Sequence, residues 1–517
     1  MAMATVPLNS SAGKWIMTSC IMASAMAFID GTALNVVLPA LQKSLHATGT
    51  DLFWILNAYL LMLASLILIG GSMGDRLGRK KVFMIGIFIF ITGSAACGFA
   101  INVALLILFR IIQGIGSALM IPGSLSLISS SINEDERGRA IGTWSAVTTC
   151  VTLGGPILGG ALADAGLWRY TFFINIPIGL LALLILWRQV KESKDEENIH
   201  RLDFPGAFAI TFGLALLTYG FLRIPVSGFY HWQVYVSLIV GLLLLIIFVI
   251  IENKSKHPMM PLTLFRISAF TGTNLLTFFL YAGLAAAMLF LSLNLVQIQG
   301  YSQLQSGLTF LPFSLLMISL ARYAGSLADR HGPRMLLIVG PALAGLGFLI
   351  LSFTGQTNGP EDYWRSFFPG MVVLGLGMSL TVAPLTATVM ASVSDQFSGT
   401  ASGVNNAVSR IAGVFANAIF GALAFLFFSG ALQADLKTIP ITVEDKQEVM
   451  AQVVNLGNAR PPASINPALE IPVENFYREG FIDAYSRIMK ISAILAIFAA
   501  LMALLFIKNN KITASPG

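Results

Sequence analysis

The chain has 517 residues, of which 56% are apolar and 11% charged, with a net charge of +6 and a mean hydropathy of +0.78. Soluble proteins carry about 25% charged residues, so this chain cannot cover a water-facing surface and its solvent is largely lipid. That excludes a soluble enzyme of about three domains, which length alone would suggest.

A hydrocarbon layer about 30 Å thick is crossed by about 20 apolar residues in a helix. Fourteen such runs predict helices at 15–41, 52–72, 82–101, 104–131, 139–163, 168–187, 205–223, 232–252, 268–298, 304–327, 334–354, 366–391, 400–429 and 488–507. Internal glycines and prolines do not argue against helix, because membrane helices tolerate both. The expected fold class is therefore an all-α membrane protein with fourteen transmembrane helices. Residues 188–204 form a charged linker after the sixth run. Residues 430–487 separate the last two runs, and VEDKQEVMAQVV within them reads as one short helix.

Lys and Arg gather on the cytoplasmic side of membrane proteins. With the N-terminus inside, the inner side holds 18 of them, counting Lys194, Arg201, Lys256 and Lys511. Short outer loops hold 4: Lys43, Arg169, Arg223 and Arg365. Both termini are then cytoplasmic and 430–487 lies outside. The excess of positive charge is thus a topology signal, and nucleic acid is not an expected partner. No short apolar core followed by a small-residue cleavage site opens the chain, so no removed leader is expected.

Cys20, Cys97 and Cys150 lie far apart in apolar runs without metal-ligand spacing, so neither a disulfide framework nor a metal site is expected. The five histidines fall at helix ends or in loops. No Walker motif, HExxH or His–Asp–Ser grouping occurs, which argues against an enzyme and against ATP as the direct energy source.

In chain order, the first helix carries FIDGTALNVVLP at 28–39. Asp30 lies near its middle, where an ionised, lipid-facing carboxylate costs about 2.5–3.5 kcal/mol. It must face a cavity, pair, or hold a proton, and it is the one acid placed mid-span. GSMGDRLGRKK at 71–81 connects helices 2 and 3. Gly71 and Gly78 allow a tight turn. Asp75 can pair with a basic side chain or cap a helix, and Arg76 and Arg79 supply positive charge. In the fourth helix Arg110 and Gln113 lie about one turn apart on one face. In the fifth, LGGPILGG at 153–160 offers Gly155, Gly159 and Gly160 as a side-chain-free face, with Pro156 removing a backbone donor. WRYTFFINIPIG at 168–179 suggests Trp168 and Tyr170 as interface anchors and Arg169 as an outer-surface charge.

GSMGDRLGRK at 71–80 recurs as GSLADRHGPR at 325–334, with Asp329 in place of Asp75 and Pro333 in place of Arg79. The copies follow helices 2 and 10. Two six-helix halves with two helices inserted between them give that spacing. The expected division is 1–188, an N-terminal six-helix bundle; 189–266, two additional helices; and 267–517, a C-terminal six-helix bundle.

These elements together resemble the major facilitator superfamily, in particular its fourteen-helix drug:proton antiporter branch. Asp30, Thr32, Asn35 and Pro39 match the branch's first-helix signature. Gly71, Asp75, Arg76, Gly78, Arg79 and Lys80 match its loop motif, residues 106–118 its helix 4 motif, and Gly155, Pro156, Gly159 and Gly160 its antiporter motif. Val151 and Met73 depart from the pattern.

The resemblance implies a proton-coupled secondary transporter that exports amphiphilic small molecules or drugs across the inner membrane by alternating access. An exporter dedicated to one metabolite, siderophore or lipid is the alternative, and a membrane-embedded enzyme a remote one. Asp30 is the expected proton carrier, with Arg110 stabilising its carboxylate. Asn35, Gln113 and Arg410 (in SGVNNAVSRIAG) are candidates for the substrate cavity. Gly155, Pro156 and Gly159 are expected at the contact between the two halves near the outer mouth, with Gly160, Gly71, Asp75, Arg76, Gly78, Arg79 and Asp329 in gating and packing. The proton gradient replaces any cofactor. Membrane lipids surround the protein, and the resemblance leaves room for a periplasmic adaptor.

Overall fold

The computed structural model of the chain describes residues 5–193, 203–255, 258–394 and 397–508. Fourteen of its helices are long and apolar enough to cross a membrane. They are α1 Ser11–Leu45, α2 Gly49–Leu77, α3 Arg79–Phe99, α4 Val103–Ser131, α5 Glu134–Asp164, α6 Tyr170–Gln189 and α7 Phe204–Ser227. The series continues with α8 Trp232–Lys254, α9 Ser268–Ile298, α10 Gln303–His331, α11 Arg334–Ser352, α12 Phe368–Ala391, α13 Gly399–Asp435 and α14 Pro467–Phe506. Each predicted run overlaps one of them. Most of the 188–204 linker lies outside the described residues, as do Lys194, Arg201, Lys256 and Lys511.

Helix ends are set by local chemistry. Thr48 and Asp51 form a capping box at the start of α2, and Ser302 and Gln305 form another at the start of α10. Pro467 occupies the first position of α14, where a missing N–H has no cost.

Packing repeats at an interval of eight helices. The pairs α2–α4, α3–α4, α1–α5, α1–α6 and α3–α6 in the first bundle have counterparts α10–α12, α11–α12, α9–α13, α9–α14 and α11–α14 in the second. The bundles meet through α2–α13 and α5–α10, two contacts that the same shift exchanges, as a pseudo-twofold axis requires. The α7–α8 hairpin stands outside this ring against α2 and α13.

The chain between the last two helices departs from expectation. Residues 430–487 were expected to be mostly connection, yet α13 continues to Asp435 and α14 begins at Pro467. The extensions carry charge on one face only. Their other faces bury Phe428, Leu432 and Leu436 against Val473, Tyr477 and Phe481, an amphipathic pattern that averaging over a window conceals. Between them lie a helix at Val443–Ala451 and a 3-10 turn at Gln452–Asn458.

Candidate functional site: a one-sided cavity beside a buried ion pair

The face from which α1 starts carries the basic loops and is called the basic face; the opposite one is the far face. The two bundles touch unequally along their interface. On the far side a Cβ at Gly160 of α5 would stand 2.4 Å from the Gln303 carbonyl oxygen of α10. One at Gly307 would stand 2.3 Å from the Pro156 carbonyl oxygen. Toward the basic face, Gly138, Gly142 and Gly154 of α5 have no atom within 4 Å of their Cβ positions, and Ser145, Ala146 and Val147 are exposed. The α2–α13 seam loosens in the same direction. A Cβ at Gly421 would lie 3.1 Å from Phe53, whereas ones at Gly413 and Gly403 reach only Leu60 at 4.0 Å and Leu68 at 3.7 Å, and Gly399 meets nothing. The cleft between the bundles is therefore closed on the far side and open to the basic face.

Beside this cleft, Asp30, Arg110 and Gln113 form a closed triangle. Arg110 Nη1 pairs with Asp30 Oδ2 and donates to Gln113 Oε1 at 2.8 Å. Gln113 Nε2 donates to Asp30 Oδ1 at 2.9 Å. Arg110 Nε donates to the Ile55 carbonyl at 3.3 Å, and its guanidinium lies 4.3 Å from the Tyr59 ring centroid. All three side chains are buried. It is the only fully buried ion pair among the described residues. Breaking such a pair from one side costs about 3–5 kcal/mol, because a bare charge is left behind. Asp30 is one residue from Gly31, whose Cβ direction points into open space, so only a short step of α1 separates the carboxylate from the cleft.

The other cavity candidates are more dispersed. Arg410 of α13 crosses to the first bundle, its guanidinium 5.8 Å from the Phe28 ring. Among the described residues it has no ion pair. Phe28 in turn meets Trp144 edge-on at 6.5 Å. Asn35 contributes its backbone carbonyl, which accepts from Ser292 Oγ of α9 at 3.0 Å.

The glycine motif needs redistribution. Gly155 and Gly159 do not lie between the bundles. Cβ atoms there would fall 2.1 Å from Thr32 Oγ1 and 2.7 Å from the Ala33 carbonyl oxygen, both on α1. They pack α5 onto α1 inside the first bundle, while Pro156 and Gly160, one helical step round, meet α10.

The loop motif is latched in one copy. Asp75 Oδ1 accepts from Arg79 Nε at 2.8 Å and from Ser126 Oγ at 3.5 Å. In the second copy Pro333 offers no guanidinium, and Asp329 has no ion pair among the described residues. Arg76 is exposed, Gly71 has only Pro122 near its Cβ position, and Gly78 adopts φ 111. Trp168 is not an interface anchor but buried, and Arg169 caps α3 through the Gly98 and Ala100 carbonyls at 3.0 and 2.7 Å.

Three partners were invisible to sequence reasoning. Glu192 caps α3 by accepting from the Lys80 and Lys81 backbone N–H groups at 2.9 and 3.0 Å. Asp164 of α5 caps α10, accepting from Ser302 Oγ, Gln303 N and Leu304 N at 2.7, 2.8 and 2.9 Å. Gln42 of α1 joins both bundles to the 3-10 turn. Its Oε1 accepts from Gln297 of α9 and from Asn458, each at 2.8 Å, and its Nε2 donates to the Asn455 carbonyl at 3.2 Å. The SxxQ pattern at 302–305 was the one available hint, since it marks a helix start opposite the end of α5.

Two pseudo-equivalent bundles around a cleft open on one side define a membrane transporter of the alternating-access class. The Major Facilitator Superfamily model matches residues 20–417, and the chain belongs to that family. It is 32% identical over 446 residues to the Multidrug resistance protein Stp of Mycobacterium tuberculosis (strain CDC 1551 / Oshkosh), covering 85% of this chain and 81% of that one. It is 28% identical over 491 residues to the Tetracenomycin C resistance and export protein of Streptomyces glaucescens, covering 93% and 89%. Its fold is similar to that of a bacterial homolog of the human lysosomal transporter Spinster, with a TM-score of 0.68 at 19% identity over 98% of this chain and all of the other.

Proposed function

We propose that this transporter exports amphiphilic small molecules across the inner membrane in exchange for protons. The supporting observation is the buried Asp30–Arg110–Gln113 triangle beside the cleft. An antiporter needs a group that changes charge during the cycle, and this carboxylate is buried in mid-span within the first bundle, beside the cleft. The names of the relatives, which concern drug resistance and export, support the substrate class. The basic loops support a cytoplasmic basic face, with both termini inside and the 436–466 excursion outside. A periplasmic adaptor would meet the molecule on that excursion.

In this orientation the cleft opens to the cytoplasm, with Asp30 held by Arg110. Substrate enters from the cytoplasm or the inner leaflet. After the cleft reopens outward, a proton from outside neutralises Asp30, the pair with Arg110 dissolves, and substrate leaves. Return to the inward-open state releases the proton inside. Each charge that crosses 100 mV supplies about 2.3 kcal/mol, and no cofactor is required.

Asp30→Asn keeps size and hydrogen bonding but cannot ionise. In proteoliposomes with an imposed pH gradient it should fold and bind substrate yet fail to concentrate it. Uphill, uncoupler-sensitive export by Asp30→Asn would assign the proton to another group.

A further inference from the structure

A pair of carboxylates lies on the basic face, far in sequence from Asp30 and outside the ring of twelve helices. Asp203 precedes α7 and Glu252 ends α8. Both are buried, at 8% and 2% exposure. Each is half satisfied. Asp203 Oδ1 accepts from the Gly206 backbone N–H at 2.8 Å, capping α7. Glu252 Oε2 accepts from the Met260 backbone N–H at 2.9 Å, holding the turn that leads to α9. Among the described residues the second oxygen of each, Asp203 Oδ2 and Glu252 Oε1, is buried without a hydrogen-bond partner.

The two orphan oxygens flank one point. A Cβ on Gly206 would stand 2.9 Å from Asp203 Oδ2 and 3.0 Å from Glu252 Oε1, so glycine keeps the gap between them clear. Two buried carboxylates that converge in this way do not both stay ionised without compensation. Among the described residues no cation supplies it. Lys254 and Arg266, the basic residues of the flanking helix end and connection, are exposed and pair with neither acid. Arg76 at the end of the adjoining α2 is exposed as well. Arg201, Lys256 and His257 lie outside the described residues.

We propose that Asp203 and Glu252 bind one proton between them, forming a cytoplasmic proton site separate from Asp30. One carboxyl donates its O–H to the other's orphan oxygen, so a single proton satisfies both buried acceptors and cancels one charge. The shared proton clasps the start of α7 to the end of α8. Through Met260 it also clasps the connection that leads into the second bundle. Met259 and Met260 of that connection pack with α2 and α13 in one apolar cluster, so the clasp sits behind a seam along which the bundles meet. When the cytoplasm turns alkaline and the proton leaves, two like charges face each other there and the connection loosens. The folded state binds a proton that the unfolded chain has released, so this contribution to stability is present at low pH and falls as pH rises through the titration of the pair.

The test uses the full-length protein in detergent or nanodiscs near neutral pH. Infrared difference spectroscopy in wild type should show the carbonyl stretch of a protonated carboxyl that disappears on alkalinisation. Glu252→Gln should abolish the band and flatten the decline of Tm with rising pH, while Asp30→Asn should leave both. Asp203→Asn gives a second route to the same loss should Glu252→Gln fold poorly. A band absent from wild type, or one untouched by both substitutions, overturns the shared proton. A Tm at fixed pH that rises with sodium, potassium or magnesium and loses this response in Glu252→Gln also overturns it, because the site then holds a metal cation.

Discussion

Asp164 ends α5 and closes the far face by capping the first turn of α10, so one carboxylate of the first bundle terminates a helix of the second. It accepts three hydrogen bonds, two of them from backbone N–H groups of α10. A carboxylate at a helix N-terminus also meets the positive end of the helix dipole. Asp164→Ala should therefore shift the molecule toward far-side opening. At about 1 kcal/mol per bond, loss of the three bonds raises the open-to-closed ratio roughly a hundredfold. Spin labels at Leu167 and Gln305, both exposed, should report a longer, broader distance distribution than in the parent protein.

The glycines of α5 should separate into two phenotypes. Gly160→Leu thrusts a side chain at the Gln303 carbonyl across the bundle interface, so it should fold, bind substrate and fail to close on the far side. Gly159→Leu strikes Ala33 within the first bundle and should lower expression and Tm instead. Size-exclusion profiles and substrate binding on both variants read the difference. Equal behaviour would show that the two glycines serve one contact.

Removal of Arg110 alone should be worse than removal of the whole pair. Arg110→Ala leaves a bare carboxylate in the bundle and should cost about 3–5 kcal/mol. Asp30→Asn combined with Arg110→Gln removes both charges and should recover much of that stability while transport stays lost. Thermal unfolding of the single and double variants measures it, and additive losses would mean that the pair is not coupled.

The 3-10 turn over the far face acts as a strap. Leu456 is fully buried in it at φ 56, ψ −134, a region that side chains rarely enter and that costs about 1–3 kcal/mol. Its side chain occupies the space above Gly49 at the start of α2, where a Cβ would come within 2.7 Å. A short cleavable thiol crosslinker between Gln42→Cys and Asn458→Cys should stop transport, and cleavage of the linker should restore it. Undiminished transport by the crosslinked protein would show that the strap stays in place throughout the cycle.

Much of this was legible from composition and depth. A carboxylate in mid-membrane has few allowed fates, so Asp30 could be singled out, and Arg110 with Gln113 could be placed on one helix face near its depth. The glycines of α5 announced a close helix contact but not which helix, because adjacent positions on one helix face different neighbours. Asp164, Gln42 and Glu192 were hidden for a related reason. Each is an ordinary polar residue at a helix end, and the partners described above lie 111 to 416 positions away in the chain, where no local pattern points. Leu456 looked like any apolar residue in a loop. The hydropathy of 467–487 concealed a helix because half of its surface is charged.

The reach of α14 bears on how the molecule can be seen. Its 40 residues extend about 60 Å at 1.5 Å each, twice the thickness of the hydrocarbon layer. With the end of α13 and the strap packed against it, the projecting part forms a knob on one face of the protein. Small transporters in nanodiscs give images without a landmark to fix their tilt or to tell one face from the other. Here the landmark is built in, rigidly joined to two helices of the second bundle. Particle alignment by electron cryomicroscopy should therefore succeed without an added antibody fragment.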